Sequence, residues 1–474
     1  MKMNLNRRDF IFSGGAFALA AGCRSTALFG KPDLVFGVVS DIHITTPGSC
    51  AMFGRALRYF RGRGVDAVVA PGDLTDWGLK SSFVYLKNAW DGVFAGTGVV
   101  PLFCTGNHDY DGWWYGDMTM EMHALGYSED EAMSKLGLAD CWKEVMGEAD
   151  FAPVRKRTVK GYDFVSCEWG AFDKLGGWMA ENGASLKGDK PFFYFQHPPI
   201  GNTTSDSPRG AAAGGGVRAV LDGFPNCISF TGHAHRPFID ERSIWQDTFT
   251  AVATPSLSYA GIPKGYENGS GNRTGKSNQA MQIVPYRRDL RGGQGFVVNV
   301  WKDKVAIERV DLEECASDAP EWVVPLPACK TAEKPFDNAV RAETEPVPSF
   351  PRGAGLEIET RNTENRRGHW TIVMQCVFPT AQMPAGSRVY DYEIRAVPRD
   401  GSEPMVKRFI SPAYAKMAKY EPAKQRFWFD VAELPQDKDY VLEVRARNCF
   451  GKCSAALVSE TMRGKPGLGS AKRA

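Results

Sequence analysis

The sequence predicts an α/β domain followed by a smaller all-β sandwich. Short apolar runs alternate with helical stretches through most of the chain, and strand-like runs separated by turns fill its last part. A length of 474 residues exceeds one ordinary domain and agrees with this division. The formal net charge of +2 gives no electrostatic reason to expect nucleic acid as a partner, because such binding favours a basic stripe or patch.

The first 25 residues are predicted to be an export signal. Asn6-Arg7-Arg8-Asp9-Phe10-Ile11 resembles a twin-arginine motif, and the apolar run that follows is shorter than the ~20 residues of a membrane span. The run ends in Leu19-Ala20-Ala21-Gly22-Cys23, which resembles a bacterial lipobox with its leucine one position early. We therefore expect a periplasmic protein or a lipoprotein anchored to the membrane through Cys23. A plain cleaved signal or an uncleaved anchor is the alternative.

Five apolar runs of the first domain end in polar residues, and these endings hold five of the seven histidines. The endings are Asp41-Ile42-His43, Gly72-Asp73, Gly106-Asn107-His108-Asp109, Gln196-His197 and Gly232-His233-Ala234-His235. Helix candidates, such as residues 53–63 and 83–94, lie between the runs. Because the loops at the carboxyl ends of strands converge in α/β folds, we expect the five motifs to meet in one cleft. Mixed carboxylate and imidazole ligands suit Mn, Fe or Zn, so a metal centre is predicted there.

In this order, the five motifs resemble those of the calcineurin-like metallophosphoesterase superfamily, over residues 34–312. The resemblance implies a four-layer β-sandwich flanked by helices, and two divalent metal ions that share one carboxylate. It implies that Asp41 and His43 bind the first metal, that Asp73 bridges both, that Asn107, His197 and His233 bind the second, and that His235 returns to the first. The implied reaction is hydrolysis of a phosphoester by a metal-bound hydroxide, without a covalent enzyme intermediate.

The same resemblance assigns two residues to proton transfer. His108 would protonate the departing oxygen or stabilise its developing charge, and Asp76 would pair with His108 and keep it protonated. An ordinary helix N-cap is the alternative role for Asp76, and Asp109 is expected to fix its turn.

The substrate is less closely defined. Trp77 stands where Ser/Thr protein phosphatases have arginine, and Asp76 stands where purple acid phosphatases have a tyrosine ligand. Gln196-His197-Pro198-Pro199 resembles the bacterial phosphodiesterase-like branch, so we expect a small-molecule phosphodiester. The alternatives are a nucleotidase-like phosphomonoesterase and a lipid-anchored binding or adhesion module with a vestigial enzyme domain.

The segments after the fifth motif are predicted to be mainly β. Residues 248–253, 295–301 and 305–310 are expected to complete a second sheet facing the first, and residues 313–352 are predicted to be a linker rich in proline and charge. Residues 353–462 resemble a fibronectin type III domain, on the strength of Leu434-Pro435, Tyr440 and the run Val441 to Asn448. Another immunoglobulin-like sandwich is the alternative. This domain could contact glycans or proteins, and Cys376 and Cys449 could form a disulfide between its sheets.

Overall fold

The structure is a computed structural model, and it describes most of the chain. The described residues are 30–110, 138–146, 151–204, 216–262, 265–267, 292–317, 319–330, 334–364, 370–384, 387–415 and 417–464. The predicted export signal and Cys23 lie outside these residues. Within the described ranges, none of the helices combines the length and the hydropathy that a membrane span requires.

The chain divides into two compact units, each built from several segments. Of the described residues, the first unit takes those within Met1–Ala234, Trp245–Ser258 and Gly293–Pro335, and the second takes those within His235–Ile244, Tyr259–Gly292 and Phe336–Ala474. One boundary between the two units, at Pro335 and Phe336, falls within the predicted linker of residues 313–352.

The described part of the first unit is built on two six-stranded sheets and five α-helices. In chain order the strands are β1 (Leu34–Val38), β2 (Ala67–Pro71), β3 (Val100–Cys104), β4 (Val154–Val159), β5 (Tyr162–Cys167), β6 (Phe192–Gln196), β7 (Cys227–Thr231), β8 (Ile244–Gln246), β9 (Thr250–Ala253), β10 (Gln294–Val300), β11 (Lys304–Asp311) and β12 (Trp322–Pro325). The helices are α1 (Cys50–Arg63), α2 (Lys80–Phe94), α3 (Leu138–Met146), α4 (Leu175–Asn182) and α5 (Gly216–Leu221). The first sheet has the order β12-β11-β10-β1-β2-β3, and the second has the order β4-β5-β6-β7-β9-β8.

Parallel pairing brings the polar motifs to common sheet edges. Strands β1, β2 and β3 are parallel neighbours in the first sheet, and β5, β6, β7 and β9 are parallel neighbours in the second. Parallel neighbours have their carboxyl ends at the same edge, so the loops that follow them lie side by side. This arrangement gathers the five predicted motifs.

The two sheets pack face to face through aromatic side chains. The fully buried ring of Phe36 on β1 lies 5.2 Å from Phe164, 4.8 Å from Phe193 and 5.9 Å from Phe230, measured between ring centroids. On the outer faces, Phe53 of α1 and Phe83 of α2 belong to one core, whereas residues of α4 and α5 belong to another. The prediction of a mixed α/β domain with several sheets is confirmed.

The predicted partition of the later strands between the two sheets is wrong in part. Residues 250–253 join the second sheet as expected, but β10 and β11 extend the first sheet, where Phe36 pairs with Val298 in an antiparallel register. Every residue of β10 is buried, so this strand needs neighbours on both sides and cover on both faces. The predicted linker also contributes structure, because β12 pairs with β11 at the edge of the first sheet.

The second unit contains an all-β region with antiparallel sheets. Its strands are β13 (Glu357–Glu364), β14 (Trp370–Pro379), β15 (Asp391–Pro398), β16 (Met405–Ile410), β17 (Lys424–Asp430), β18 (Asp439–Arg447), β19 (Leu457–Val458) and β20 (Met462–Arg463), and helix α6 (Asn338–Thr344) precedes them. One sheet has the order β13-β14-β17, and the other has the order β16-β15-β18-β19 with β20 also on β18. Stacked rings of Tyr392, Phe409 and Phe427 fill the core. The disulfide that Cys376 and Cys449 could form is not made, since both are free thiols.

Candidate metal centre

Several of the predicted ligands have an unusual backbone conformation. Asp41, His43, Asp73 and His233 have φ angles of 51°, 52°, 49° and 67°, in the left-handed region that few residues other than glycine adopt. Hydrogen bonds between loops hold this conformation. In one of them the carbonyl of Asp73 accepts the His43 N–H at 3.1 Å. Backbone strain of this kind is retained where the surroundings dictate it, and it is frequent at functional sites. This backbone conformation therefore recurs in the loops after β1, β2 and β7, which carry predicted ligands.

One group of ligand atoms forms around Asp73, His197 and His233, whose nitrogen and oxygen atoms lie within 4.8 Å of one another. Nε2 of His197 is 3.0 Å from Oδ2 of Asp73, and both side chains are buried. Nδ1 of His197 donates to the carbonyl of Pro71 at 2.8 Å, and Nε2 makes no hydrogen bond. In the neutral form of His197 that could bind a metal, the lone pair of Nε2 faces a carboxylate oxygen. A cation with bonds of ~2.0–2.2 Å to both atoms fits this arrangement.

The charges in this group favour a positive partner. Burial disfavours the imidazolium form of His197, but the Asp73 carboxylate outweighs it and raises the pKa of His197 to about 9. Burial likewise disfavours the charged form of Asp73, and His197 outweighs it so that the pKa of Asp73 is lowered. The pocket thus stabilises positive charge, whether it is carried by a proton or by a metal ion.

A second group of ligand atoms also contains Asp73. Atoms of Asp41, His43 and Asp73 lie within 4.8 Å of one another, and Nε2 of His43 is 3.7 Å from Oδ2 of Asp73. Asp73 is 1% exposed and belongs to both groups, which is the position expected of a bridging carboxylate. Its other oxygen, Oδ1, accepts the backbone N–H of His108 at 2.9 Å.

The remaining predicted ligands are Asn107 and His235. Asn107 lies beside His233, with Oδ1 at 3.0 Å from Nδ1 of that histidine. His235 belongs to the second compact unit, where Nδ1 lies 2.9 Å from the carbonyl of Tyr259 and the two rings are 4.2 Å apart. Ligation of the first metal by His235 stays a prediction.

Asp76 contacts two histidines, whereas the sequence predicted one partner. Oδ1 of Asp76 is 3.3 Å from Nδ1 of His108 and 2.8 Å from Nδ1 of His43. The hydrogen bond to His108 and, to a smaller extent, the one to His43 hold the pKa of Asp76 well below its usual range. The alternative role as an N-cap is wrong, because Leu79 occupies that position of α2. A carboxylate behind a ligand histidine fixes its ring and its tautomer, so Asp76 also orients His43.

Asp109 fixes its turn, as expected, and also joins two loops. Its buried carboxylate accepts hydrogen bonds from the backbone of Leu74, Thr75 and Gly106 and from the hydroxyl of Thr75. Burial and the nearby charge of Asp73 raise the pKa of Asp109 to about 7. The loops that follow β2 and β3 are held together by this one side chain.

The turn after β5 also contributes to the site, although it was not among the predicted motifs. There Glu168 accepts hydrogen bonds from N and Oγ1 of Thr105 at 2.8 and 2.6 Å, directly before the third motif. Trp169 follows, with its ring centroid 6.0 Å from that of His197 and 6.1 Å from that of His233. The sequence did contain a signal for this turn, because Tyr162 to Cys167 is another apolar run that ends in polar residues.

Close packing requires glycine in these motifs. A substitution at such a glycine therefore tests the geometry of the site without changing a predicted ligand. A Cβ atom at Gly106 would overlap the carboxylate and backbone of Asp73, whereas one at Gly92 in α2 would meet open space. We expect Gly106→Ala to abolish stoichiometric Mn or Zn binding, measured by calorimetry and metal analysis, and Gly92→Ala to bind as the wild type does. Normal metal content in Gly106→Ala would contradict the geometry described above.

The double contact of Asp76 predicts a difference between two variants. Asp76→Ala should weaken metal binding by roughly 10–100-fold, because it releases His43, and should also slow catalysis. His108→Ala should slow catalysis while keeping the metal affinity close to that of the wild type. Titration with Mn or Zn in a calorimeter measures both affinities. Equal affinities for the two variants would show that Asp76 serves His108 alone.

Residues 34–237 match the family model described as calcineurin-like phosphoesterase. None of the curated proteins matches the chain. Similar solved structures include a dimetal phosphatase from Danio rerio (11% identity, 62% of this chain, 99% of that chain, TM-score 0.37) and the purple acid phosphatase PPD1 from yellow lupin, Lupinus luteus (10%, 62%, 53%, 0.37). An archaeal phosphodiesterase is another (11%, 58%, 100%, 0.27). These three likenesses are too distant to assign an activity. The family match establishes that residues 34–237 are a calcineurin-like phosphoesterase domain, the domain of a metal-dependent phosphoesterase.

Proposed function

We propose that the chain is an exported phosphodiesterase with two metal ions in its active site. The observation that carries this proposal is the buried Asp73 carboxylate, which belongs to both groups of ligand residues. When bound, two ions of Mn, Fe or Zn would supply an activated water and neutralise the phosphoryl oxygens. The ligand residues present suit these metals, since they combine carboxylate and imidazole groups.

In this proposal each predicted residue keeps a defined task. Asp41, His43 and His235 would hold the first ion, Asn107, His197 and His233 would hold the second, and Asp73 would be shared by both. His108 donates a proton to the departing oxygen, and its side chain is 30% exposed, so a substrate can reach it. Asp76 stabilises the protonated form of His108 through the 3.3 Å contact between its Oδ1 and Nδ1 of the histidine. Because water attacks phosphorus directly, the chain needs no nucleophilic side chain.

The preference for a diester is supported by the Gln196-His197-Pro198-Pro199 block. The side chain of Gln196 is buried, donates to the carbonyl of Pro198 at 2.8 Å and accepts the Tyr194 hydroxyl at 2.6 Å. The block is therefore a fixed wall beside the ligand His197, and its residues resemble those of the bacterial phosphodiesterase-like branch. A nucleotidase-like phosphomonoesterase is the second candidate. A binding module with a vestigial enzyme domain is disfavoured, since the chain retains a side chain for every ligand position.

The N-terminal motif supports export, and the strand order supports a fibronectin type III identity for the C-terminal sandwich. Sheets of the orders β13-β14-β17 and β16-β15-β18-β19 have the three-plus-four division of such domains. We propose that this sandwich contacts glycans or proteins beyond the inner membrane, and that Cys23 carries lipid. The hydroxyl of Tyr440 lies 3.9 Å from the sulfur of Met374, which differs from the backbone hydrogen bond of a tyrosine corner.

Hydrolysis of two p-nitrophenyl substrates tests the reaction. We expect the Mn- or Zn-loaded protein to hydrolyse bis(p-nitrophenyl) phosphate faster than p-nitrophenyl phosphate. Asp73→Asn should lower kcat by about three orders of magnitude, because it removes several kcal/mol of transition-state stabilisation. Asp163→Asn, on β5, is the matched control and should retain wild-type activity. Preference for the monoester would favour the second candidate, and full activity of Asp73→Asn would refute the metal mechanism.

Cell fractionation tests the export proposal. Replacing Arg7 and Arg8 by lysine should leave the full-length chain in the cytoplasm of the expressing bacterium, whereas the wild type should leave it. Cys23→Ala should yield a protein without the mass of an attached lipid and without stable membrane association. Arg24→Lys, just after the predicted lipobox, serves as the control. Export of the double lysine variant at the wild-type level would exclude the twin-arginine route.

A further inference from the structure

Trp169 lies beside the candidate metal centre and is accounted for neither by the five motifs nor by the ligand set. It directly follows Glu168 in the turn after β5, and its side chain is half-buried. The indole plane is tilted by 35° to the ring of His233, at 6.1 Å between centroids, and by 65° to the ring of His197, at 6.0 Å. Phe172 supports it from another side, edge to face at 5.8 Å. A rigid aromatic surface thus adjoins two predicted ligands of the second metal.

The position of Trp169 is fixed by the same loop that carries Asn107. The backbone N–H of Trp169 donates to Oγ1 of Thr105 at 3.3 Å, and the preceding carboxylate of Glu168 accepts two hydrogen bonds from Thr105. Glu168 is 2% exposed and is paired with the buried Arg155. This buried ion pair and the hydrogen bonds between Thr105 and the turn hold its backbone in one geometry. The indole is therefore pre-organised and loses little conformational entropy when a ligand binds.

Trp169 and His108 are associated with different parts of the centre. His108 lies against His43, with ring centroids 4.6 Å apart, and against Asp76, whereas Trp169 lies against His197 and His233. In an in-line displacement the leaving oxygen departs opposite the attacking water, and the other substituent of a diester stays on phosphorus. If His108 protonates the leaving oxygen, the indole of Trp169 lies where it can contact the substituent that stays on phosphorus.

We propose that Trp169 binds the retained ester substituent and selects diesters in which that substituent carries a planar aromatic ring. This inference rests on the proposed function for the role of His108. A flat ring can stack on the indole face, and such stacking tolerates many ring chemistries because every aromatic ring has a π face. An aryl group and a nucleobase share this chemistry, whereas a methyl group offers too little surface.

Two diesters with the same leaving group test the selection. Phenyl p-nitrophenyl phosphate and methyl p-nitrophenyl phosphate both release p-nitrophenolate and differ only in the retained substituent. We expect the ratio of kcat/KM, phenyl over methyl, to fall about tenfold in Trp169→Ala and to be largely kept in Trp169→Phe. Trp178→Phe, on α4, is the control and should keep the wild-type ratio. An unchanged ratio in Trp169→Ala would overturn the inference.

An equilibrium measurement separates this inference from the proposed reaction. Calorimetric titration of the metal-loaded protein with phenylphosphonate and methylphosphonate should show tighter binding of the phenyl compound, and Trp169→Ala should remove that preference. If the preference is present but no ester is hydrolysed, the proposed function fails and the aromatic site stands. If esters are hydrolysed but wild type binds both phosphonates equally, the aromatic site fails and the proposed function stands. Failure of wild type to bind either compound would overturn the inference.

A third substrate distinguishes an aryl group from a nucleobase as the ring that Trp169 binds. Thymidine 5′-(p-nitrophenyl phosphate) places its base one sugar away from phosphorus. A loss of activity toward this ester in Trp169→Ala, comparable with that for the phenyl ester, shows that the site also accepts a nucleobase. A loss for the phenyl ester alone assigns it to rings attached at the ester oxygen.

Discussion

The burial of one carboxylate, that of Asp73, is the constraint on which the rest of the centre depends. An ionised carboxylate in the interior costs several kcal/mol unless opposite charge and hydrogen bonds compensate it. Here the compensation comes from His197, at 3.0 Å, from the backbone N–H of His108 and from the more distant His43. Asp41 adds a second negative charge close by, which opposes the lowering of the Asp73 pKa and must be offset in turn. Two metal ions, if bound by these residues, would satisfy all of these requirements together.

The double-sheet architecture is what brings these groups to one place. The loops after β1, β2 and β3 come from one sheet and the loops after β5, β6 and β7 from the other, and Phe36 holds the sheets face to face. Two buried carboxylates then join neighbouring loops, since Asp109 connects the loops after β2 and β3, and Glu168 connects the loops after β3 and β5. The centre is therefore supported by rigid elements, as a site that must hold metals at fixed separation requires.

Much of the fold and of the candidate site could be predicted because strands and motifs are local patterns in the sequence. The apolar runs ending at Asp41, Asp73 and His197 are visible in the sequence, and so is the alternation of β15 and β18. The sheet that β10 joins could not be predicted, because strand partners far apart in sequence are chosen by packing of both faces. The polar strands β13 and β16 escaped notice, since edge strands carry many charged residues.

Within the metal centre, too, contacts between residues far apart in sequence could not be predicted. The family resemblance implied that Asp76 pairs with His108, but the contact of Asp76 with His43 depends on how the loops after β1 and β2 lie together. Trp169 stands alone in its turn, and only the approach of β5 and β6 places it beside His197. Residues that form recognisable motifs were therefore predictable, whereas residues that act through tertiary neighbours were not.

Anomalous X-ray scattering from crystals of the Mn- or Zn-loaded protein tests the central claim most directly. Data collected at the absorption edge of the metal locate each ion without assumptions about the ligands. The account predicts two peaks roughly 3.5–4 Å apart with the Asp73 carboxylate between them. A single peak, or two peaks that do not share Asp73, would contradict it.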